Sequence, residues 1–141
     1  MIRLVTDVDR LAARELFASC GAVKPRRGAL AALQLAQSVA AGFARDGRLI
    51  ALITGYPVAV PELGRPALEV SALGQREACR RPGTMLELVR LARLTLDAWG
   101  QNGTVALLGA VKVGHRPGQQ LARLAGFRFA EVRQGFEVWA R

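Results

Sequence analysis

The chain has 141 residues and a mass of 15.1 kDa, which suits one domain of roughly 100–200 residues and leaves no room for a second. Apolar residues make up 51% and charged residues 22%, a balance that excludes a disordered or collagen-like chain and predicts independent folding. Twenty basic side chains, all Arg except Lys24 and Lys112, stand against eleven acidic ones for a net charge of +9, and such an excess invites an anionic partner.

Along the chain, residues 2–6 are β-rich, and Asp7 can cap a helix whose apolar positions Leu11, Leu16 and Phe17 recur at helical spacing. Residues 21–28 hold Gly, Pro and three basic side chains, a loop composition, and residues 29–37 are rich in helix formers. A hairpin follows: residues 38–45 and 48–60 flank Asp46-Gly47, a pair suited to the positive φ of a two-residue turn. Residues 61–66 form a turn. Residues 67–73 read as a strand with Leu68, Val70 and Ala72 on one face and Ala67, Glu69 and Ser71 on the other.

From 84 to 99, Met85, Leu88, Val89, Ala92, Leu96 and Trp99 keep the 3–4 spacing of a helix buried on one face, with Glu87, Arg90, Arg93 and Asp97 elsewhere on the wheel. Gly100-Gln-Asn-Gly103 ends it. Residues 104–113 form an almost wholly apolar strand suited to burial on both faces, and residues 117–125 form a helix stopped by Gly126. Two β segments, 127–132 and 135–139, close the chain, with Trp99 and Trp139 ending apolar patterns that place them in the core. The order β-α-α-β-β-β-α-β-α-β-β predicts an α/β (α+β) domain, a mixed sheet covered by helices, over residues 1–141.

Three stretches carry a family likeness: Asp46-Gly-Arg-Leu-Ile-Ala on the hairpin, Arg80-Arg-Pro-Gly-Thr-Met before the long helix, and Leu121-Ala-Arg-Leu-Ala-Gly-Phe near the end. With the element order, they make nearly the whole chain resemble the GNAT superfamily of N-acetyltransferases. The resemblance implies a mixed sheet of about seven strands flanked by about four helices. It also implies an acetyl-CoA site on the loop before the long helix, where Arg80, Gly83 and Met85 match the family's phosphate motif. Cofactor-binding positions on that loop are Arg80, Arg81, Gly83 and Thr84. A strand-to-helix loop aims unpaired backbone N–H groups and a helix dipole at a diphosphate, and the two arginines add charge. Met85 departs from the motif by standing where a small residue is expected, and Pro82 by lacking an N–H.

Attack on a thioester by an amine needs a base, because the amine arrives largely as ammonium. The resemblance places such carboxylates on the strand before the cofactor loop, which makes Glu69 the catalytic candidate; the alternative for Glu69 is a surface ion pair with an arginine. Glu62 and Glu77 are weaker candidates in loops. The family's Tyr that protonates the departing thiolate is replaced by Ala122, which cannot act as an acid, so water or another side chain must do so. His115 takes the place of a frequent family Asn and is the second catalytic candidate as a proton shuttle, its alternative being a solvated helix cap. Tyr56, the only tyrosine, reads as structural at a sheet edge.

The leading expectation is acetyl-CoA-dependent transfer to a small-molecule or peptide amine. The alternative is a catalytically silent part of a larger assembly with protein partners. The compact layout and Val113-Gly114 before the last helix resemble the small GNAT-like internal virion proteins of short-tailed bacteriophages, which implies residence in a phage particle. Nucleic acid is disfavoured as a partner, since aromatics are only 6% and the arginines are scattered. No apolar stretch reaches the ~18 residues of a membrane span. No basic segment followed by a hydrophobic block opens the chain, so the cytoplasm is the expected compartment. Cys20 and Cys79 are far apart and His115 is the only His, so no closed metal site is expected and the cysteines read as buried free thiols.

Overall fold

The computed structural model describes residues 2–4, 16, 39–43, 47–75 and 80–141. Its strands are β1 (Ile2–Leu4), β2 (Val39–Phe43), β3 (Leu49–Val58), β4 (Ala67–Gly74), β5 (Ala106–Lys112), β6 (Arg128–Arg133) and β7 (Phe136–Ala140). They form one seven-stranded sheet in the order β1-β2-β3-β4-β5-β7-β6. Neighbours are antiparallel except β4 and β5, which run parallel. A parallel pair needs a crossover, and helix α1 (Pro82–Gly100) lies between these two strands in the chain. Helix α2 (Arg116–Leu124) lies between β5 and β6.

Helix α1 starts on Pro82, where a missing N–H costs nothing because the first turn has no intrahelical acceptor for it. It buries Leu91, Ala92, Thr95 and Leu96, a face of 3–4 spacing. It stops where Gln101 and Asn102 take left-handed φ values of 47° and 57°. Leu96 joins Leu107 of β5, Trp139 of β7 and Ala125 and Phe127 beyond α2 in one core, against which Leu68 and Val70 of β4 pack. Both helices therefore cover the same face of the sheet. Leu96 and Leu107 are each only 1% exposed, so truncating either to Ala costs about 2–5 kcal/mol. On β3, Gly55 admits the Trp99 ring, since a Cβ there would lie 3.0 Å from Trp99 Cζ3.

The expected alternation of β4 is realised, with Leu68 and Val70 toward the helices. The expectation for β5 needs correction. Only Ala106 and Leu107 are buried, and the strand from Leu108 to Val111 is half-buried. Leu107 and Val111 meet the helical core, while Leu108 and Ala110 point to the other face, where they line an open cleft. The strand also begins at Ala106 rather than 104, because Thr104 is used in closing the preceding turn, its Oγ1 donating to the Gln101 carbonyl at 2.8 Å.

Of the expected first helix, Leu16 is helical and buried. The helix expected at 29–37, the turn residue Asp46, the 21–28 loop, Glu77, Cys20 and Cys79 lie outside the described residues. No helix of the described residues is long and apolar enough to cross a membrane.

Candidate active site

The one parallel junction of the sheet is short. Residues 67–70 of β4 pair with 106–109 of β5, and among the described residues no ladder pair joins the strands beyond Val70 and Gly109. From there β4 stays with β3 through Ser71, Ala72, Leu73 and Gly74, a partnership that Gln75 extends by donating its N–H to the Ile50 carbonyl at 2.7 Å. Meanwhile β5 stays with β7 through Ala110, Val111 and Lys112. The two strands thus part toward their C-terminal ends. Their facing edges there carry peptide groups that require partners, which suits an extended ligand bearing amides.

Helix α1 follows β4 in the chain. Its N-cap, Arg81, makes no side-chain capping bond. The Met85 N–H is taken up by the Arg81 carbonyl at 2.9 Å, the first bond of the helical ladder. Pro82 has no N–H, so the amides of Gly83 and Thr84 remain for an outside acceptor. No acidic residue occupies this turn, Arg80 and Arg81 are exposed beside it, and Met85 is half-buried. A Cβ built on Gly83 meets nothing within 4 Å, so the approach to these amides is open and Met85 does not plug it. Positive dipole end, free amides and two guanidiniums together fit a diphosphate.

Helix α2 begins differently. His115 is its N-cap, and Nδ1 accepts the Gly118 N–H at 3.2 Å. A Cβ on Gly118 would lie 2.7 Å from that Nδ1 and 2.9 Å from Val111 Cγ1, so the cap and its packing need glycine. Ala122, the position of the family tyrosine, packs against the apolar core.

On the face away from α1 and α2 lies a cleft of about 550 Å³. Its walls are Leu108 and Ala110 of β5, Phe136, Val138 and Ala140 of β7, Val58 at the end of β3 and Leu63 in the turn after it. Glu69 of β4, in register with Leu108, reaches it. Tyr56 pairs with Glu69 across β3 and β4, and because β3 lies between β2 and β4 it stands on an interior strand rather than on the edge strand expected from sequence. Glu62, Glu131 and Arg133 complete the charged lining among the described residues, and Arg133 Nη2 holds Glu131 Oε1 at 2.8 Å.

No family model matches the chain, and neither does any curated protein sequence. Solved structures do match. Arabidopsis thaliana Naa50, in complex with the bisubstrate analogue CoA-Ac-MVNAL, superposes with a TM-score of 0.69 at 14% identity, over 96% of this chain and 95% of that one. A GNAT-family acetyltransferase from Listeria monocytogenes gives 0.67 at 13%, over 100% and 93%. PaiA N-acetyltransferase from Thermoplasma acidophilum, in complex with coenzyme A, gives 0.65 at 13%, over 100% and 97%. The chain has the GNAT fold.

Within this GNAT fold the positions singled out from sequence fall into two groups. Glu69 stands in the cleft, whereas Arg80, Arg81, Gly83 and Thr84 form the start of α1. His115 joins neither group: it caps α2, whose Gly118 packs on Val111 of the helical face, while Glu69 looks the other way. Sequence reasoning missed Glu131 and Arg133. Strict alternation from Arg128 sends Glu131 toward the helices, but the register shift between Phe129 and Glu131 sets it opposite Val138 and turns it into the cleft.

Proposed function

We propose that this chain is an acetyl-CoA-dependent N-acetyltransferase acting on an amine. The observation that carries the reading is the parting of β4 and β5 beyond Val70 and Gly109, with the uncapped start of α1 following β4. The Naa50 structure with a CoA-bearing analogue and the PaiA structure with coenzyme A support the choice of cofactor.

Acetyl-CoA supplies an acetyl group activated as a thioester. The Gly83 and Thr84 amides receive the diphosphate, with Arg80 and Arg81 neutralising it. The open edges of β4 and β5 would hold the amide-bearing arm, with Glu69 one residue before the last pair of those strands. The Glu69 carboxylate takes a proton from the arriving ammonium, leaving a neutral amine to attack. His115 Nδ1 is committed to the Gly118 amide, so any proton it carries is exchanged at Nε2. Ala122 offers no acid, and the proton that completes the thiol product comes from solvent.

The reading as a silent assembly part rests on Met85, Pro82 and Ala122. Pro82 carries little weight, because N1 is where helices accept proline best. Calorimetric titration decides: saturable heat with acetyl-CoA and CoA, together with thiol release in the presence of an amine, supports the enzyme. Absence of heat up to millimolar ligand leaves the assembly reading standing.

A further inference from the structure

We infer that the acceptor is a primary amine bearing a bulky apolar group, aromatic or branched, which the cleft seats on its floor; its acetylation rests on the transferase reading, but its seating does not. The floor follows from strand register. Leu108 of β5 lies beside Ala140 of β7, and Ala110 beside Val138, and all four line the cleft. With neighbouring strands about 4.8 Å apart and same-face residues about 7 Å apart along each strand, they make an apolar tile about the size of one aromatic ring. Large and small side chains alternate across it, and the two alanines leave room above the tile. Beside it stand Leu63, in the turn after β3, and Phe136 of β7, both in the cleft lining and 39% and 44% exposed. Apolar surface gathered around one cavity is what an apolar ligand removes from water.

None of the four floor side chains carries a hydrogen-bonding group, and the peptide groups of β5 and β7 run in the plane of the sheet toward neighbouring strands. A hydroxylated chain laid there gives up hydrogen bonds to water without replacement, a cost that an apolar group does not meet. Polar side chains stand at the margins: Glu131 and Arg133 of β6 hold one another at 2.8 Å, and Glu62 lies in the exposed turn Pro61–Leu63. The floor also adjoins the place of reaction. Leu108 is in register with Glu69, and Gly109, the last residue of β5 to pair with β4, belongs to the cleft lining. One strand spacing of about 4.8 Å separates Leu108 from β4, so a two-carbon linker carries the nitrogen from the floor to the end of the ladder. There the nitrogen gains the acetyl carbon as the thioester C–S bond breaks, giving an amide, the CoA thiol and one proton.

The test uses three primary amines that share an aminoethyl group and a single positive charge: 2-phenylethylamine, 3-methylbutylamine and 2-(2-aminoethoxy)ethanol. Each is titrated into the full chain, with and without CoA, while the amide resonances of Leu108, Ala110, Val138 and Ala140 are followed, and each is offered as acceptor with acetyl-CoA. The two apolar amines are expected to shift these resonances and to bind about ten- to fiftyfold more tightly than the ether alcohol. Leu63→Ser, at a site exposed enough to leave the melting temperature unchanged, should reduce that preference about threefold. Equal binding of all three, or no shift from the apolar pair, overturns the inference. Selective binding of the apolar pair without acetyl transfer upholds it and removes the transferase reading. Equal binding with equal kcat/KM for all three does the reverse.

Discussion

Two helices of this domain open on the same tripeptide and acquire opposite chemistry. Arg81-Pro82-Gly83 begins α1 and Arg116-Pro117-Gly118 begins α2, but the frame slides by one residue. In α1 the arginine is the N-cap, a side chain with five donors and no acceptor, so it cannot bond its own helix's amides. In α2 the residue before the arginine is the N-cap, and the His115 imidazole takes the Gly118 N–H. One start is closed on itself, while the other presents amides and positive charge outward. An Arg-Pro-Gly motif therefore says nothing about anion binding until the preceding residue and the cap position are known.

The strongest way to break this comparison is at the open end. Replacing Arg80 and Arg81 together by Ala removes two charge-assisted contacts of about 1.5–3 kcal/mol each, so CoA affinity measured by calorimetry should fall roughly a hundredfold or more with the melting temperature little changed. An undiminished affinity places the diphosphate elsewhere. At the closed end the expected loss is in stability instead. Gly118→Ala drives a methyl into His115 and Val111 and should cost about 1–3 kcal/mol by denaturant unfolding.

The matching substitution at the open end sharpens the contrast. Gly83→Ala meets no neighbour within 4 Å, so stability should hold within about 0.5 kcal/mol, while CoA binding weakens about tenfold as the methyl intrudes on the approach to the amides. A drop in stability with unchanged CoA binding would count against the open end as a phosphate site. The smallest effect is expected at the cap itself. His115→Ala should lose about 1 kcal/mol and His115→Asn, which keeps an acceptor, should recover most of it. With the cap restored, kcat/KM of His115→Asn reports on Nε2 alone: it should equal that of the wild type, and a tenfold fall or more would give that atom a share in proton transfer.

Much of this was legible along the chain because it is local. The long helix follows from Leu88, Ala92, Leu96 and Trp99 on one face, and Glu69 follows from the alternation with Leu68 and Val70, which need only their own strand to be sorted. The cleft was harder. Leu108 and Ala110 are as apolar as Leu107 and Val111, and hydrophobicity cannot distinguish a wall that faces a core from one that faces an opening. Glu131 was hidden by a bulge at Ala130, since one extra residue reverses which face every later side chain takes. The role of Pro82 likewise depended on where the helix began, a matter of one residue that periodicity does not resolve.

What the amino-acid order determined unaided was the sequence of the seven strands with α1 and α2 among them, the acidic residue on the face of β4, and the basic turn that starts α1. These rest on interactions within a few residues. Tertiary structure alone decided that β5 lies between β4 and β7, that its pairing with β4 ends at Gly109, and that carboxylates from β4, β6 and the turn after β3 share one cleft. Each of these depends on which distant strand a segment meets and in what register, a choice settled by the packing of the whole sheet.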